Sequence, residues 1–117
     1  MNSSKTVSAG KVLKDEFMEP FGLSAYRVAQ EIHVPVSRIQ DILHDRRKIT
    51  ADTSLRLGRF FGVSAQYFLD IQNAADMKEI YHENRTEIDM IRPLDLEETQ
   101  KKRILAYAKE FSKQMME

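Results

Sequence analysis

The sequence predicts an all-α fold: a five-helix bundle followed by one additional C-terminal helix. Three observations predict it. Apolar residues recur at helical spacing in six segments of the chain. Ser, Thr or Asp precedes most of these segments, where such residues cap helices. Pro or Gly lies where several of them end, and these residues terminate helices. A length of 117 residues is enough for one domain whose core needs neither metal nor disulfide.

The chain opens with a polar, Ser-rich stretch, residues 1–9, which predicts a flexible arm. The first helix is expected over residues 10–19, because Pro20 cannot continue an α-helix. Four apolar residues repeat on one face of this segment: Val12, Leu13, Phe17 and Met18.

Two short helices joined by a tight turn are predicted over about residues 25–44. Ser24 is suited to cap the second helix of the chain, and the segment His33-Val34-Pro35 ends it. Three residues form the apolar face of this helix: Val28, Ala29 and Ile32. The third helix has an apolar face with helical spacing: Val36, Ile39, Ile42 and Leu43.

The fourth and fifth helices complete a predicted domain over residues 10–81. Thr50 is expected to cap the fourth helix and Gly62 to end it in a left-handed conformation. Its interior residues are expected to be Leu55, Leu57, Phe60 and Phe61. Ser64 is expected to cap the fifth helix, which runs to about Tyr81 and carries Tyr67, Phe68 and Ile71.

Residues 82–117 form a predicted connector and C-terminal helix. Residues 84–93 are polar, with weak strand character, and Asp95 with Glu98 resembles a capping box. The helix that follows has an apolar stripe: Ile104, Ala108, Phe111 and Met115. This stripe is expected to pack either against a partner subunit or protein, or back on its own domain.

The composition excludes several classes of protein. Without cysteine there is no disulfide framework, thiolate zinc site or thiol nucleophile. No apolar run approaches the roughly 20 residues that cross a bilayer, and the N-terminus lacks the apolar region of a secretory signal, so a cytoplasmic protein is expected. Net charge is zero, but residues 1–60 carry ten basic and seven acidic side chains, and residues 61–117 carry eight and eleven. A basic first half suits a phosphate partner, although ordinary scatter would also explain it.

No pattern in the chain predicts an enzyme. The histidines, His33, His44 and His82, are scattered without carboxylates at ligand spacing, so no metal is expected. There is no Gly-rich phosphate loop and no nucleophile elbow, so neither a cofactor nor a catalytic residue is predicted.

The two helices over residues 25–44 are typical of a helix-turn-helix DNA reader. Ala29 supplies the small residue that close packing of the helices needs. The turn position usually occupied by glycine holds His33, a residue that tolerates left-handed geometry. A polar hairpin that only exposes a solvated face remains the alternative.

The third helix carries the residues expected to touch base edges: Val36, Ser37, Arg38, Gln40 and Asp41. Arg can donate two hydrogen bonds to guanine, Gln can do so to adenine, and an acid can accept from a cytosine amine. The three cations after the helix, Arg46, Arg47 and Lys48, are expected to hold phosphates, which sets register and salt dependence.

Three segments carry a family resemblance: EFMEPFGLS, VPVSRIQDILHDRRKITADTSLRLGRFFG and SAQYFLDIQNAAD. The block ITADTSLRL followed by FFG is more specific than the helix-turn-helix pattern alone. Over residues 10–76 the chain resembles the HigA-type antitoxins, a branch of the lambda-repressor-like (Cro/C1-type, or XRE) helix-turn-helix proteins. Residues 82–117 lie outside the resemblance.

The resemblance implies a five-helix, lambda-repressor-like domain that acts as a homodimer on a double-stranded DNA operator. It also implies repression of the chain's own operon and neutralisation of a HigB-type toxin, a RelE-like mRNA endonuclease. Ala25 lies where many relatives carry a glutamine that braces phosphate, so this chain departs from the family there. Two alternatives remain open: a stand-alone XRE-family regulator, and a protein-interaction module with vestigial DNA binding.

Overall fold

The structure is a computed structural model that describes residues 7–115, with side chains described as far as Phe111. Within that range the chain is all-α, with seven α-helices and no strand, which confirms the predicted fold class. The chain forms two compact units that part between Arg85 and Thr86. Residues 1–6 of the predicted arm lie outside the described residues. The arm was wrongly extended to residue 9, because the Ser8 hydroxyl caps the first helix and Ala9, its first residue, is buried.

The first unit contains five α-helices: α1 Ala9–Val12, α2 Ala25–Ile32, α3 Val36–Leu43, α4 Ala51–Phe61 and α5 Tyr67–Glu83. A π-helical segment, Leu13–Met18, and a 3₁₀ turn, Glu19–Phe21, lie between α1 and α2. The short helix α6, Arg85–Asp89, begins at the boundary between the units, and α7, Glu98–Met115, belongs to the second unit.

The first predicted helix was wrong in its geometry and in its end. Only α1 is α-helical, and the chain continues through the π-helical segment and the 3₁₀ turn to Phe21. Pro20 lies in the first turn of that 3₁₀ segment. Backbone N–H groups in a first turn have no acceptor within the helix, so the absence of an N–H on proline costs no helical hydrogen bond there. Gly22, with φ of 62°, ends the segment in the left-handed conformation that glycine adopts without strain.

The core of the first unit surrounds Phe68, whose side chain is fully buried. The rings of Phe17 and Phe68 lie 5.1 Å apart at an edge-to-face angle, and Phe61 packs beside both. Every helix of this unit contributes buried apolar side chains, among them Ala9, Val28, Ala29, Ile32, Ile39, Ile42 and Leu57. The predicted apolar faces of α2 and α3 are therefore confirmed as faces toward the core.

One interior residue of α4 was predicted wrongly. Leu55 is 57 % exposed, whereas Leu57 is fully buried. Residues two apart on a helix point to different sides, so the two leucines cannot share the core face. Thr50 does cap α4, because its hydroxyl accepts from the Thr53 N–H at 3.3 Å, and Gly62 ends the helix with φ of 75°.

The fifth helix begins two residues later than predicted. Ser64 does not cap it; the Ser64 carbonyl accepts from the Tyr67 N–H at 3.1 Å within a turn that precedes the helix. The Ser54 hydroxyl holds this turn by donating to the Ala65 carbonyl at 2.6 Å. The turn also lies close to Gly58, where an added Cβ would be 2.7 Å from the Ser64 oxygen.

The second unit contains helix where strand character was predicted. Residues 85–89 form α6, because a short helical turn satisfies its backbone hydrogen bonds locally without a partner strand. The predicted capping box was shifted: the Glu97 N–H donates to Gln100 Oε1 at 3.2 Å, and Asp95 and Glu98 do not form the pair. The Met115 side chain of the predicted stripe lies outside the described side chains.

Large apolar side chains of the second unit are exposed. They are Ile88, Met90, Ile91, Leu94, Ile104, Leu105, Tyr107 and Phe111. No described residue from Thr86 onward is buried, and only Leu96 is half-buried.

Candidate nucleic-acid interface

The turn between α2 and α3 has the geometry that the sequence predicted. His33 adopts φ 63° and ψ 51°, the left-handed conformation, at the end of α2. The Val34 N–H donates to the Ala29 carbonyl at 3.0 Å, a bond that closes the helix end in the manner of a Schellman motif. Ser24 caps the other end of α2, with its hydroxyl accepting from the Arg27 N–H at 3.0 Å. The expectation that His33 replaces the usual glycine is confirmed.

Helix α3 has one side in the core and one side toward solvent. Ile39 and Ile42 are buried, while Ser37 and Gln40 on the other side are exposed. Val36, at the start of the helix, is half-buried. The outer side of α3 therefore presents a small set of polar side chains on a rigid support.

Arg38 and Asp41 are less exposed than predicted because each forms an ion pair with another element or with the following loop. Arg38 Nη1 lies 3.2 Å from Asp52 Oδ2 on α4. Asp41 Oδ1 accepts from Arg46 Nε at 3.1 Å, and Arg47 Nε lies 3.9 Å from the other carboxylate oxygen. Asp41 was expected to accept from a cytosine amine; in the structure its carboxylate is engaged by the arginines that follow α3.

The loop after α3, residues 44–50, is held by backbone and side-chain contacts. The Arg46 N–H donates to the Asp41 carbonyl at 2.8 Å, and Asp45 adopts a left-handed φ of 58°. At the end of the loop the Ile49 N–H donates to Gln72 Oε1 at 2.6 Å, and Gln72 Nε2 donates to the Ile49 carbonyl at 2.7 Å. One side-chain amide thus fixes the loop to α5.

Lys48 is drawn toward α5 rather than toward α3. Its Nζ lies 2.7 Å from Asp76 Oδ1, and the hydrogen bond and negative charge of Asp76 raise the pKa of Lys48. The side chain is largely exposed, so solvent screens this pair. Lysine is already charged at neutral pH at its ordinary pKa, so the shift leaves the charge of Lys48 unchanged there.

The structure therefore divides the eight predicted residues. Val36, Ser37, Arg38, Gln40 and Asp41 lie on α3, and Arg46 and Arg47 lie beside Asp41. Lys48 lies apart, bound to Asp76. Each of the four cations already has a carboxylate neighbour. For Arg46, Arg47 and Lys48, contact with phosphate would therefore exchange one anion for another.

Three contributors to this site escaped sequence reasoning: Asp52, Arg56 and Gln72. Asp52 and Arg56 are four residues apart on α4, a spacing that signals a helical ion pair. Nothing in the sequence connects that pair to α3, or Gln72 to Ile49, because these contacts depend on how the helices pack.

Among residues 7–115, no cluster of three His, Asp or Glu side chains is placed to hold a metal ion. No helix within the described range has both the length and the apolar character needed to cross a bilayer.

Two short helices packed across a left-handed turn, with the second exposing its opening residues, define a helix-turn-helix protein. A model of the helix-turn-helix family HTH_3 matches residues 15–68. Virulence-associated protein I of Dichelobacter nodosus is 42 % identical over 93 residues, which cover 80 % of this chain and 85 % of that protein.

Two solved Pseudomonas aeruginosa structures are also similar. The antitoxin HigA with the higBA promoter is 33 % identical with a TM-score of 0.70, and the match covers 78 % of this chain and 100 % of that chain. A protein in complex with its operator DNA is 32 % identical with a TM-score of 0.73, covering 80 % of this chain and 99 % of that chain. The chain belongs to the XRE-type helix-turn-helix family, among the HigA-type antitoxins. The resemblance seen in the sequence is thereby confirmed.

Proposed function

We propose that this chain is a sequence-specific DNA-binding repressor that places α3 in the major groove of an operator. The observation that carries the proposal is the outer side of α3. It exposes Ser37 and Gln40, with Arg38 beside them, on a helix whose opposite side is buried in the core. Arg and Gln are the side chains that read guanine and adenine by paired hydrogen bonds. The relatives solved with operator or promoter DNA support this proposal.

Arg46 and Arg47 are proposed to contact phosphates on either side of the groove. They follow α3 directly, and both lie beside Asp41, to which Arg46 donates a hydrogen bond. Phosphate contacts set the position of the protein on the duplex without reading its sequence. Lys48 is proposed as the weaker contributor, because Asp76 directs its ammonium group toward α5.

The proposed active form is a homodimer. One helix of this length reads only a few base pairs, and two copies spaced about 34–36 Å apart would read two half-sites one helical turn apart. The proposed operator is therefore a double-stranded palindrome upstream of the chain's own reading frame.

A gel-shift titration tests the proposal. The probe is duplex DNA from immediately upstream of the chain's reading frame, with a shuffled duplex of equal length as competitor. Arg38→Ala is expected to lose about tenfold or more in affinity for the upstream probe, since a paired contact to a base is worth ~1–3 kcal/mol. Arg59→Ala is the matched control, because it removes the same charge from an exposed position of α4. A wild type that binds both duplexes equally contradicts the proposal.

Salt dependence tests the phosphate contacts separately. Each phosphate contact releases condensed counterions, so Arg46→Gln and Arg47→Gln should each flatten the salt dependence of log K by about one unit of slope. Lys48→Gln should change it less. A wild-type affinity that does not respond to salt would remove all three cations from the interface.

The proposed biological role is that of the antitoxin in a HigBA-type pair, acting in the cytoplasm. Its partner would be a HigB-type toxin, a RelE-like mRNA endonuclease, and the chain itself would perform no catalytic step. Co-expression with the neighbouring reading frame tests this role: the expected result is rescue of growth from the toxicity of that frame and co-purification of both chains. A neighbouring frame without toxicity would leave a stand-alone XRE-family regulator.

A second candidate function rests on the second unit. Its exposed apolar side chains, such as Leu105 and Tyr107, favour a protein-interaction module in which DNA binding is vestigial. The gel shift separates the two candidates, because an interaction module would not distinguish the upstream probe from the shuffled duplex.

A further inference from the structure

One carboxylate, that of Asp52, lies between two arginines from different parts of the first unit. Arg38 Nη1 on α3 is 3.2 Å from Asp52 Oδ2. Arg56 Nε, one turn further along α4, is 3.1 Å from Asp52 Oδ1 and 3.0 Å from Oδ2. Through this ion pair, Asp52 links Arg38, the arginine proposed to read a base, to α4.

Arg56 extends the contact to the helix-turn-helix turn. Its Nη1 donates to the Ile32 carbonyl at 2.9 Å and lies 3.4 Å from the His33 carbonyl. These carbonyls belong to the last residue of α2 and to the left-handed residue after it, where backbone oxygens lack helical partners. Arg56 is thus held at one side by the backbone of the turn and at the other by both oxygens of Asp52.

This arrangement makes Asp52 a fixed acceptor. Its carboxylate cannot rotate away without breaking the contact of Arg56 Nε with two oxygens. Arg38, in contrast, uses one N–H of a planar guanidinium that carries five. The remaining donors include a complete edge of the fork, which is what a paired contact to guanine requires.

We propose that Asp52 is a positioning residue for operator recognition: anchored by Arg56, it holds one edge of the Arg38 guanidinium so that the other edge is aimed at a base. The inference rests on the proposed function. Its physical effect is to order a long side chain before binding, which lowers the conformational entropy that Arg38 loses at the DNA. Asp52 touches no base itself in this arrangement. It acts through Arg38 on the discrimination between sequences.

If Asp52 instead competed with DNA for Arg38, removal of Asp52 would have the opposite effect on operator binding. If the carboxylate withheld Arg38 from DNA, its removal would improve operator binding. If the carboxylate positions Arg38, its removal leaves a charged side chain with no fixed conformation. That side chain would contribute equally to the affinity for random DNA and for the operator. The ratio of the two affinities therefore distinguishes the two roles, and the general gain from deleting a negative charge cancels in that ratio.

The experiment measures the affinities of the full chain for the upstream duplex and for the shuffled duplex at one salt concentration. Asp52→Asn, which keeps the shape and removes the charge, should lower the ratio of operator to shuffled affinity by about fivefold to tenfold. In an Arg38→Ala background the same change should have no effect on the ratio. Asp52→Glu restores a carboxylate and should recover part of the loss.

Glu31→Gln is the matched control. It also deletes one carboxylate from an arginine pair, the Arg27–Glu31 contact of 2.7 Å on α2, and should leave the ratio unchanged. Arg56→Lys is the second variant if Asp52→Asn does not fold. Lysine keeps the charge but lacks the fork that spans Asp52 and the turn, so the ratio should fall here too.

A ratio that stays constant or rises in Asp52→Asn overturns the positioning role, as does an equal loss in the Arg38→Ala background. A wild type that does not distinguish the two duplexes overturns the proposed function as well. The two failures are therefore separate results of the same titration.

Discussion

The two units of the chain use similar helical sequence patterns with opposite results. In the reader domain, the first unit up to Arg85, apolar stripes become a closed core around Phe68. In the second unit, the stripe of α7 is as regular, yet Ile104 and Phe111 are exposed. Helical spacing of apolar residues thus specifies a helix and a face. Whether the face is buried depends on a second surface that fits it, which the reader domain supplies and the second unit by itself does not.

The difference has energetic consequences. Full burial of a large apolar side chain contributes ~1.5–3 kcal/mol relative to exposure. The reader domain gains this for residues such as Leu13, Ile39 and Leu57, all fully buried. Equivalent side chains in the second unit, such as Leu105, contribute little to the folding of the single chain. We therefore expect substitutions of the same chemistry to separate the two units.

The largest expected effect is that of a phenylalanine in each unit. Phe68→Ala should destabilise the chain by about 3–5 kcal/mol, because it removes a fully buried ring and leaves a cavity. Phe111→Ala, at a position 58 % exposed, should change stability by less than about 0.5 kcal/mol. Urea denaturation of the purified protein at low concentration measures both. Equal losses of stability would show that Phe111 is buried in solution.

A glutamine in each unit gives the next largest difference. Gln72→Ala should cost about 1–3 kcal/mol, because the Ile49 N–H and carbonyl both lose their partner in a partly buried place. Gln100→Ala removes one exposed bond to the Glu97 N–H and should cost only about 0.5 kcal/mol. Loss of the two hydrogen bonds between Gln72 and the Ile49 backbone should also speed amide hydrogen exchange in residues 44–50. Unchanged amide exchange of residues 44–50 in the Gln72→Ala variant would mean that other contacts hold this loop.

Backbone strain is a third point of contrast. The described residues contain two non-glycine residues with positive φ, His33 and Asp45, and both belong to the reader domain. His33→Gly should stabilise the domain by about 0.5–1 kcal/mol, since left-handed geometry is costly for an L-residue and the gain exceeds the flexibility of glycine. His33→Ala keeps the Cβ and should bring no gain. Thermal unfolding compares the two variants; a higher midpoint for alanine than for glycine would exclude relief of strain.

The smallest expected effect is that of removing the second unit. A chain truncated after Asn84 should unfold at nearly the same temperature as the full chain, since no described residue beyond that point is fully buried. It should also keep its affinity for the upstream duplex, because relatives that match only 80 % of this chain include one solved with operator DNA. Circular dichroism and the gel shift measure these two quantities. An unfolded truncation product would assign residues 85–117 a part in the core.

Much of the reader domain could be predicted from local sequence. The caps at Ser24 and Thr50, the left-handed His33 and the buried face of α2 follow from interactions within a few residues. The wrong predictions also come from considering only neighbouring residues. Leu55 is apolar, but its phase on α4 puts it on the solvent side, and Ser64 has the character of a cap, but a turn lies between it and α5. A short polar segment with scattered isoleucines gave a false strand signal where α6 forms.

The fold class, the position of the helix-turn-helix and the family can be predicted from the chain alone, because they depend on periodicity, capping and specific local blocks. Which charged side chains pair with each other depends on the packing of the helices. Arg38 forms an ion pair with Asp52, fourteen residues away in the chain, and Lys48 forms one with Asp76 on α5. Such pairs form where packed helices bring side chains within hydrogen-bond distance, and no local pattern encodes that distance. The candidate base-reading residues could therefore be named from the chain alone, while the anchored carboxylate beside them could be found only in the folded molecule.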